Sequence, residues 1–259
     1  MIHTIYCAFV LTSTIFCVNI DLLALGGDTV TIAGFQKLTL LDYPGKTACT
    51  VFTAGCNLRC PFCHNADLVL SPSSIETFSE EEILEYLNKR KGLIDGICIT
   101  GGEPMLMKDL PDFCDKIKCI GASVKIDTNG SFPSLLKYIV RNGLCDYVAM
   151  DIKNTLSKYP TTVGIPKIDV SVFEESIEFL KTSEIAHEFR TTVCRPFHTE
   201  SDILEIGKML GENERYYLQS FVDSGRLIGE GVSGFLPSEM KDMLSKLKLF
   251  VPNADIRGI

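Results

Sequence analysis

No lysine or arginine occurs before Lys37, so the chain opens without the basic segment that begins a secretory leader, and Ala24-Leu25-Gly26 makes a poor cleavage site. The uncharged stretch 4–20 falls short of the roughly 20 residues a spanning helix needs, and Thr12, Ser13, Thr14 and Asn19 interrupt it. Residues 1–30 are therefore expected to form an apolar extension, and Gly26-Gly27-Asp28 reads as a translated ribosome-binding site ahead of a true start at Val30. Positive charge is scarce throughout: the net charge of -8 gives a surface that repels phosphate backbones and argues against a nucleic-acid partner. Repeats, low-complexity tracts and linkers are also missing after residue 31, which leaves one domain over 31–259. Eleven cysteines are an odd number without the spacing of a secreted disulfide framework, so a reducing cytoplasm, that of an anaerobe, is expected.

What is present is an alternation of short apolar runs and amphipathic segments. Strands are expected at 47–53, 92–100, 123–126, 146–152, 188–193 and 215–221. Helices are expected at 106–117, 132–141, 172–181 and 200–210, and another after Ser79, which with Glu82 has the pattern of a capping box. Six buried strands alternating with helices imply an α/β protein, either a doubly wound sheet or a barrel, with reactive groups at the carboxyl ends of the strands.

Directly after the first of these strands comes Gly55-Cys56-Asn57-Leu58-Arg59-Cys60-Pro61-Phe62-Cys63-His64-Asn65. Thiolates suit iron–sulfur clusters or zinc, and both centres commonly take four protein ligands, whereas Cys56, Cys60 and Cys63 supply three. A cubane held by three cysteines leaves one iron open; a zinc site would need His64 or a distant cysteine, and the second CxxC arm usual in zinc motifs is missing. Gly101-Gly102-Glu103-Pro104 follows the second strand, Asp127-Thr128-Asn129-Gly130 the third and Asp151-Ile152-Lys153 the fourth. Taken alone, the glycines and Asp127 and Asn129 are turn chemistry. Arg190 on the fifth strand either points inward to an anion or outward to solvent. His198 reads as part of a helix-capping segment and stands outside the site. Cys49, Cys98, Cys114, Cys119, Cys145 and Cys194 read as small buried apolar residues.

Together, the CxxxCxxC loop with Phe62 before its last cysteine and the GGEP turn resemble the radical S-adenosylmethionine (SAM) superfamily. The resemblance implies a partial (β/α)6 barrel and one 4Fe-4S cluster, with SAM chelating the open iron through its amino and carboxylate groups. It implies that one electron cleaves SAM to methionine and a 5'-deoxyadenosyl radical, the protein's own part being to position and shield. Glu103 is expected opposite the SAM ammonium. Asp127 and Asp151 are expected to hold a monovalent cation near the SAM carboxylate, with Lys153 beside it, as in the glycyl-radical-enzyme activases. The residues expected to bind SAM are Phe62, His64, Gly101, Gly102, Glu103, Asp127, Asn129, Asp151, Lys153 and Arg190; no side chain is assigned as catalytic.

The segment from Gly34 to Lys46, followed by the cysteine loop, is similar to activating proteins of anaerobic ribonucleoside-triphosphate reductase. That likeness implies hydrogen abstraction from a glycine of a partner glycyl radical protein, with reduced flavodoxin or ferredoxin as electron donor. Activation of a pyruvate formate-lyase type enzyme and modification of a small molecule remain alternatives within the superfamily. Outside it stand an iron–sulfur electron carrier, which would leave SAM intact, and a zinc-dependent interaction module.

Overall fold

The computed structural model describes residues 31–223 and 225–259, so the expectations for residues 1–30 lie outside the described residues. The strands are β1 (Ile32–Thr39), β2 (Ala48–Thr53), β3 (Gly96–Gly101), β4 (Ser123–Thr128), β5 (Tyr147–Asp151), β6 (Ala186–Arg195), β7 (Tyr216–Ser220), β8 (Ser233–Gly234) and β9 (Asp255–Arg257). The helices are α1 (Ala66–Leu70), α2 (Glu80–Lys89), α3 (Leu110–Ile120), α4 (Pro133–Arg141), α5 (Tyr159–Thr162), α6 (Ser171–Thr182), α7 (Glu200–Leu210) and α8 (Pro237–Leu247).

One sheet runs in the order β1-β2-β3-β4-β5-β6-β7-β9, with β8 attached to β6. Strands β2 to β7 pair in parallel in sequence order, as expected of a βα succession, while β1 is antiparallel to β2. Among the described residues the sheet ends at β1 and β9, which leaves the half-barrel open between them. Among the described residues no helix is long and apolar enough to cross a membrane.

Helix α2 begins as its sequence dictates: the Ser79 side chain accepts from the Glu82 amide at 3.2 Å, and the Glu82 carboxylate accepts from the Ser79 amide at 3.0 Å. Its Ile83 and Leu87, four apart, lie on the buried face. In α4, Pro133, Leu136 and Ile139 recur every third residue and are buried; a side chain such as Leu136 or Ile139 contributes about 1.5–3 kcal/mol on full burial.

Three strands were not expected. In β1 the apolar residues are diluted by Gly34, Gln36 and Lys37, and the strand exists because it pairs along β2. The chain then turns on Thr39, whose hydroxyl accepts from the amides of Leu41 and Asp42, and drops Tyr43 into the floor of the barrel, 6.1 Å from the Tyr147 ring. Strand β9 is short and polar and rests on charge: Arg257 makes two bonds to Glu188, at 2.7 and 2.8 Å, and lies 3.6 Å above the Tyr217 ring. The β8 pairing involves just Cys194 and Arg195 of β6. The segment before α3 is a tight turn at Pro104–Leu106 rather than the start of that helix. Of the cysteines expected to be core, Cys49, Cys98, Cys114, Cys145 and Cys194 are buried, whereas Cys119 is exposed because it falls on the outer face of α3.

Candidate active site

Cys56, Cys60 and Cys63 line a cavity of about 160 Å³ at the carboxyl end of the parallel strands, with Thr100 and Gly101 at the end of β3, Asn129 after β4, Asp151 at the end of β5, Lys153 just beyond it, and Thr192 on β6. Leu58, Phe62, His64, Asn65 and Val69 complete the wall. Four loops that are weak signals separately thus meet at one place, because parallel strands deliver all their carboxyl ends to the same rim.

The cysteine loop is fastened to its neighbours by backbone bonds. Glu103 donates its amide to the Gly55 carbonyl at 2.9 Å, Gly102 to the Thr53 carbonyl at 2.8 Å, and the Asn65 side chain to the Gly101 carbonyl at 3.0 Å. This closeness demands glycine. A Cβ on Gly102 would sit 1.8 Å from the Gly55 carbonyl oxygen, and Gly101, at φ +112°, would drive one into the Thr53 backbone. Gly101 lines the cavity and Gly102 packs behind it.

The thiols fit a cluster. Burial pushes Cys56 up to about 12 and Cys60 up to about 11, so neither is a free thiolate at neutral pH, and it takes a metal centre to draw the protons off. The Leu58 amide donates to the Cys56 sulfur at 3.4 Å and the Asn129 side-chain amide approaches it at 3.9 Å, donors of the kind that tune cluster sulfurs. Among the described residues no three His, Cys, Asp or Glu groups converge on a single ion, and no fourth cysteine lines the cavity. Three separated thiols around a cavity suit a cubane with one uncoordinated iron better than a mononuclear zinc.

Asn129 is held in place by Asn57, which accepts from its amide at 3.0 Å, and by Ser131, whose amide donates to its carbonyl at 2.9 Å. Phe62 is buried against Phe197, with ring centroids 5.5 Å apart. His64 lies 5.3 Å from the Phe221 ring; burial, then the Lys153 charge, lowers its pKa and keeps it neutral.

Arg190 points inward, which settles the choice its sequence left open. Its guanidinium bonds Asp151 at 2.8 Å through Nε and Asp127 at 3.0 Å through Nη1. Lys125, 1 % exposed, closes on the other Asp127 oxygen, and Lys153 reaches the second Asp151 oxygen at 3.0 Å. The interval between Asp127 and Asp151, expected to hold a monovalent cation, is thus bridged by a guanidinium. Burial pushes both acids up, yet the Arg190 charge, with Lys125 for Asp127 and Lys153 for Asp151, outweighs it and holds both below the usual carboxylate range. Burial likewise works against the Lys153 charge, and Asp151 more than compensates, so the ammonium stays charged at the cavity wall.

Glu103 has a different setting from the one its motif suggested. It is fully buried behind the wall; Oε1 accepts from the Met105 amide at 3.0 Å and the Thr128 hydroxyl at 2.8 Å, and Oε2 from the Asn129 amide at 2.7 Å. The carboxylate thereby locks the GGEP turn to the loop after β4. Burial raises it to about 7 against the pull of those donors. Near pH 6 the folded acid keeps a proton that the unfolded chain has released. Its contribution is therefore complete below the ordinary value of 4.5 and is lost as pH rises toward about 7. The loss amounts to about 3 kcal/mol at about 1.4 kcal/mol per unit. His64 and His198 titrate with the opposite sign in part of this window, so the comparison with Glu103→Gln isolates the effect. Urea denaturation of cluster-free protein is expected to show wild type losing stability relative to the glutamine variant between pH 5 and 7; parallel curves would refute the assignment.

A larger groove of about 340 Å³ lies between the end of β6, α7 and α8. Four of its charges are paired, Arg195 with Glu239 at 2.7 Å and Lys246 with Glu200 at 2.8 Å; Asp242 and His198 also line it, and none of the cysteine, GGEP, DTNG or Asp151–Lys153 motif residues does.

Residues 50–210 match the Radical SAM superfamily. A Methanocaldococcus jannaschii protein named provisionally as a glycyl-radical enzyme activating enzyme is 31% identical over 234 residues, covering 88% of this chain and 96% of that protein. A 7-carboxy-7-deazaguanine synthase of Halobacterium salinarum is 28% identical over 195 residues, 72% of each chain. A pyruvate formate-lyase-activating enzyme of Staphylococcus epidermidis is 29% identical over 163 residues, 56% of this chain and 62% of that enzyme. In fold, the crystal structure of Streptococcus suis SuiB bound to S-adenosylmethionine superposes with a TM-score of 0.63 at 13% identity, over 79% of this chain and 48% of SuiB. With three thiols gathered at the open end of a partial barrel, and with this likeness running along nearly its whole described length, the chain is a member of the radical SAM superfamily: an enzyme that uses a 4Fe-4S cluster and SAM, homologous to the glycyl-radical enzyme activating enzymes.

Proposed function

We propose that this enzyme installs a glycyl radical on anaerobic ribonucleoside-triphosphate reductase in the cytoplasm, taking its electron from reduced flavodoxin or ferredoxin. The observation that carries the reading is a cavity with three cysteines and no fourth, at the mouth of a half-barrel left open between β1 and β9. An extended segment of another protein can approach such a seam, where a closed barrel would admit small molecules alone. The choice of reductase rests on the stretch from Gly34 to Lys46, which resembles activating proteins of that reductase and which runs from within β1 into the turn bordering the seam.

When bound, the cluster and SAM supply the one-electron chemistry that removes a hydrogen atom from the glycine α-carbon. The chain's own groups do the rest. Cys56, Cys60 and Cys63 hold the cluster, and Phe62 keeps water from the loop. Lys153 presents a charge fixed by Asp151 to the SAM carboxylate, and the Asp127–Arg190–Asp151 bridge holds that charge in register across β4, β5 and β6.

The test is electron paramagnetic resonance of anaerobically reconstituted protein with dithionite, SAM and purified reductase. A glycyl radical signal on the reductase together with 5'-deoxyadenosine is expected. A signal with pyruvate formate-lyase and none with the reductase would reassign the partner. SAM consumption with neither protein would point to a small-molecule substrate, as in the deazaguanine synthases, and intact SAM would indicate an electron carrier.

A further inference from the structure

His198 belongs to a segment whose sequence suggested helix capping, but the cap of α7 is Thr199, whose hydroxyl accepts from the Asp202 amide at 3.3 Å. His198 itself is 2% exposed; it stands between the groove beside α7 and the loops behind the cysteine cavity. Its Nε2 lies 2.7 Å from the Lys153 carbonyl oxygen, which can only accept. Its Nδ1 faces both backbone groups of Cys194, the amide at 3.2 Å and the carbonyl oxygen at 3.1 Å; the shorter Nε2 contact takes the one proton of the neutral ring, and Nδ1 then accepts from the amide. The ring meets Phe62 edge-on with centroids 6.0 Å apart. Burial depresses its pKa, so the neutral one-donor, one-acceptor form is the resident one. Lys153 is held from a second side as well, its amide donating to the Tyr159 hydroxyl at 3.1 Å.

We infer that His198 is a positioning residue for SAM binding: through one hydrogen bond to the Lys153 backbone and an edge contact with Phe62, it ties the lysine that borders the cavity to the loop that carries the cysteines. This rests on the reading that Lys153 meets SAM. Packing alone does not require an imidazole here. Phenylalanine would fill the space, but a buried carbonyl at Lys153 and a buried amide at Cys194 would each lose a partner.

The experiment measures SAM affinity from the change SAM causes in the paramagnetic resonance spectrum of the reduced cluster, alongside iron content per chain. His198→Ala is expected to weaken SAM about tenfold at unchanged iron content, the equivalent of one buried hydrogen bond. His198→Gln, whose amide can still donate to the carbonyl, is expected to recover most of that loss. In a Lys153→Ala background His198→Ala is expected to add almost nothing, because both act through one group. If Lys153→Ala weakens binding while His198→Ala does not, or if the two losses multiply, the inference about His198 is wrong and the role of Lys153 survives. If Lys153→Ala leaves affinity unchanged, the role of Lys153 and the inference fall together. Loss of iron in both the alanine and glutamine variants would make His198 a structural support of the cluster loop and overturn the inference too.

Discussion

Cys60→Ala protein is expected to purify without the brown colour of an iron–sulfur centre and to leave SAM intact under dithionite, whereas Cys119→Ala retains both cluster and cleavage. The contrast follows from position. Cys60 is buried at the cavity, one of three thiols that must each ligate an iron, so its removal leaves a pair that cannot retain a cubane. Cys119 is an exposed thiol on α3, away from the strand ends. The measurements are iron and sulfide per chain after anaerobic reconstitution and 5'-deoxyadenosine formed under dithionite. Equal losses in the two variants would break the division between ligands and the remaining cysteines.

Arg190→Leu is expected to be the most damaging single change outside the cysteines. Removing the guanidinium leaves Asp127 with Lys125 and Asp151 with Lys153, and it puts a hydrocarbon between two partly buried carboxylates; breaking a fully buried pair costs about 3–5 kcal/mol, and the cost here is expected toward the lower end. The pH dependence should change sign. In wild type both acids titrate below their ordinary range, so their contribution is present above that range and is lost as pH falls through the depressed values. Without Arg190, burial and mutual repulsion are expected to raise at least one of them above its unfolded value. That contribution is then complete at low pH and lost as pH rises. Urea denaturation of the cluster-free proteins should therefore show the deficit of the variant shrinking from pH 8 to pH 5. A constant deficit would mean that the network carries little of the barrel's electrostatic stability.

The course of the polypeptide was legible wherever burial has a period. Strands β2 to β7 are apolar runs with helices between them, and α2 even announces its first hydrogen bonds through Ser79 and Glu82. Strands β1 and β9 were not legible, because each is held by something outside itself: the edge of β2 in one case and the Glu188–Arg257 pair in the other. Within the site, the three cysteines and the residues after β3, β4 and β5 announced themselves as motifs. Lys125 did not, although the signal was there: it stands two before Asp127 on a strand and so shares its face. Glu103 and Gly102 were read for what they offer a ligand, and their geometry serves the chain first, joining the cysteine loop to its neighbours. His198 was hidden because its partner, the carbonyl of Lys153, lies 45 residues away and leaves no mark in the local pattern.

The placement of Tyr43 has a consequence for chemistry carried out at the opposite rim. With Tyr147, Ala48 and Ala149 it stoppers the lower end of the half-barrel, and its hydroxyl is sealed in without a partner. Among the described residues, these side chains fill that end of the barrel. If the substrate is the glycyl radical protein proposed above, small hydrogen donors that would quench its radical must compete with it for the seam between β1 and β9. On that reading, a substrate segment filling the seam would itself shield the radical.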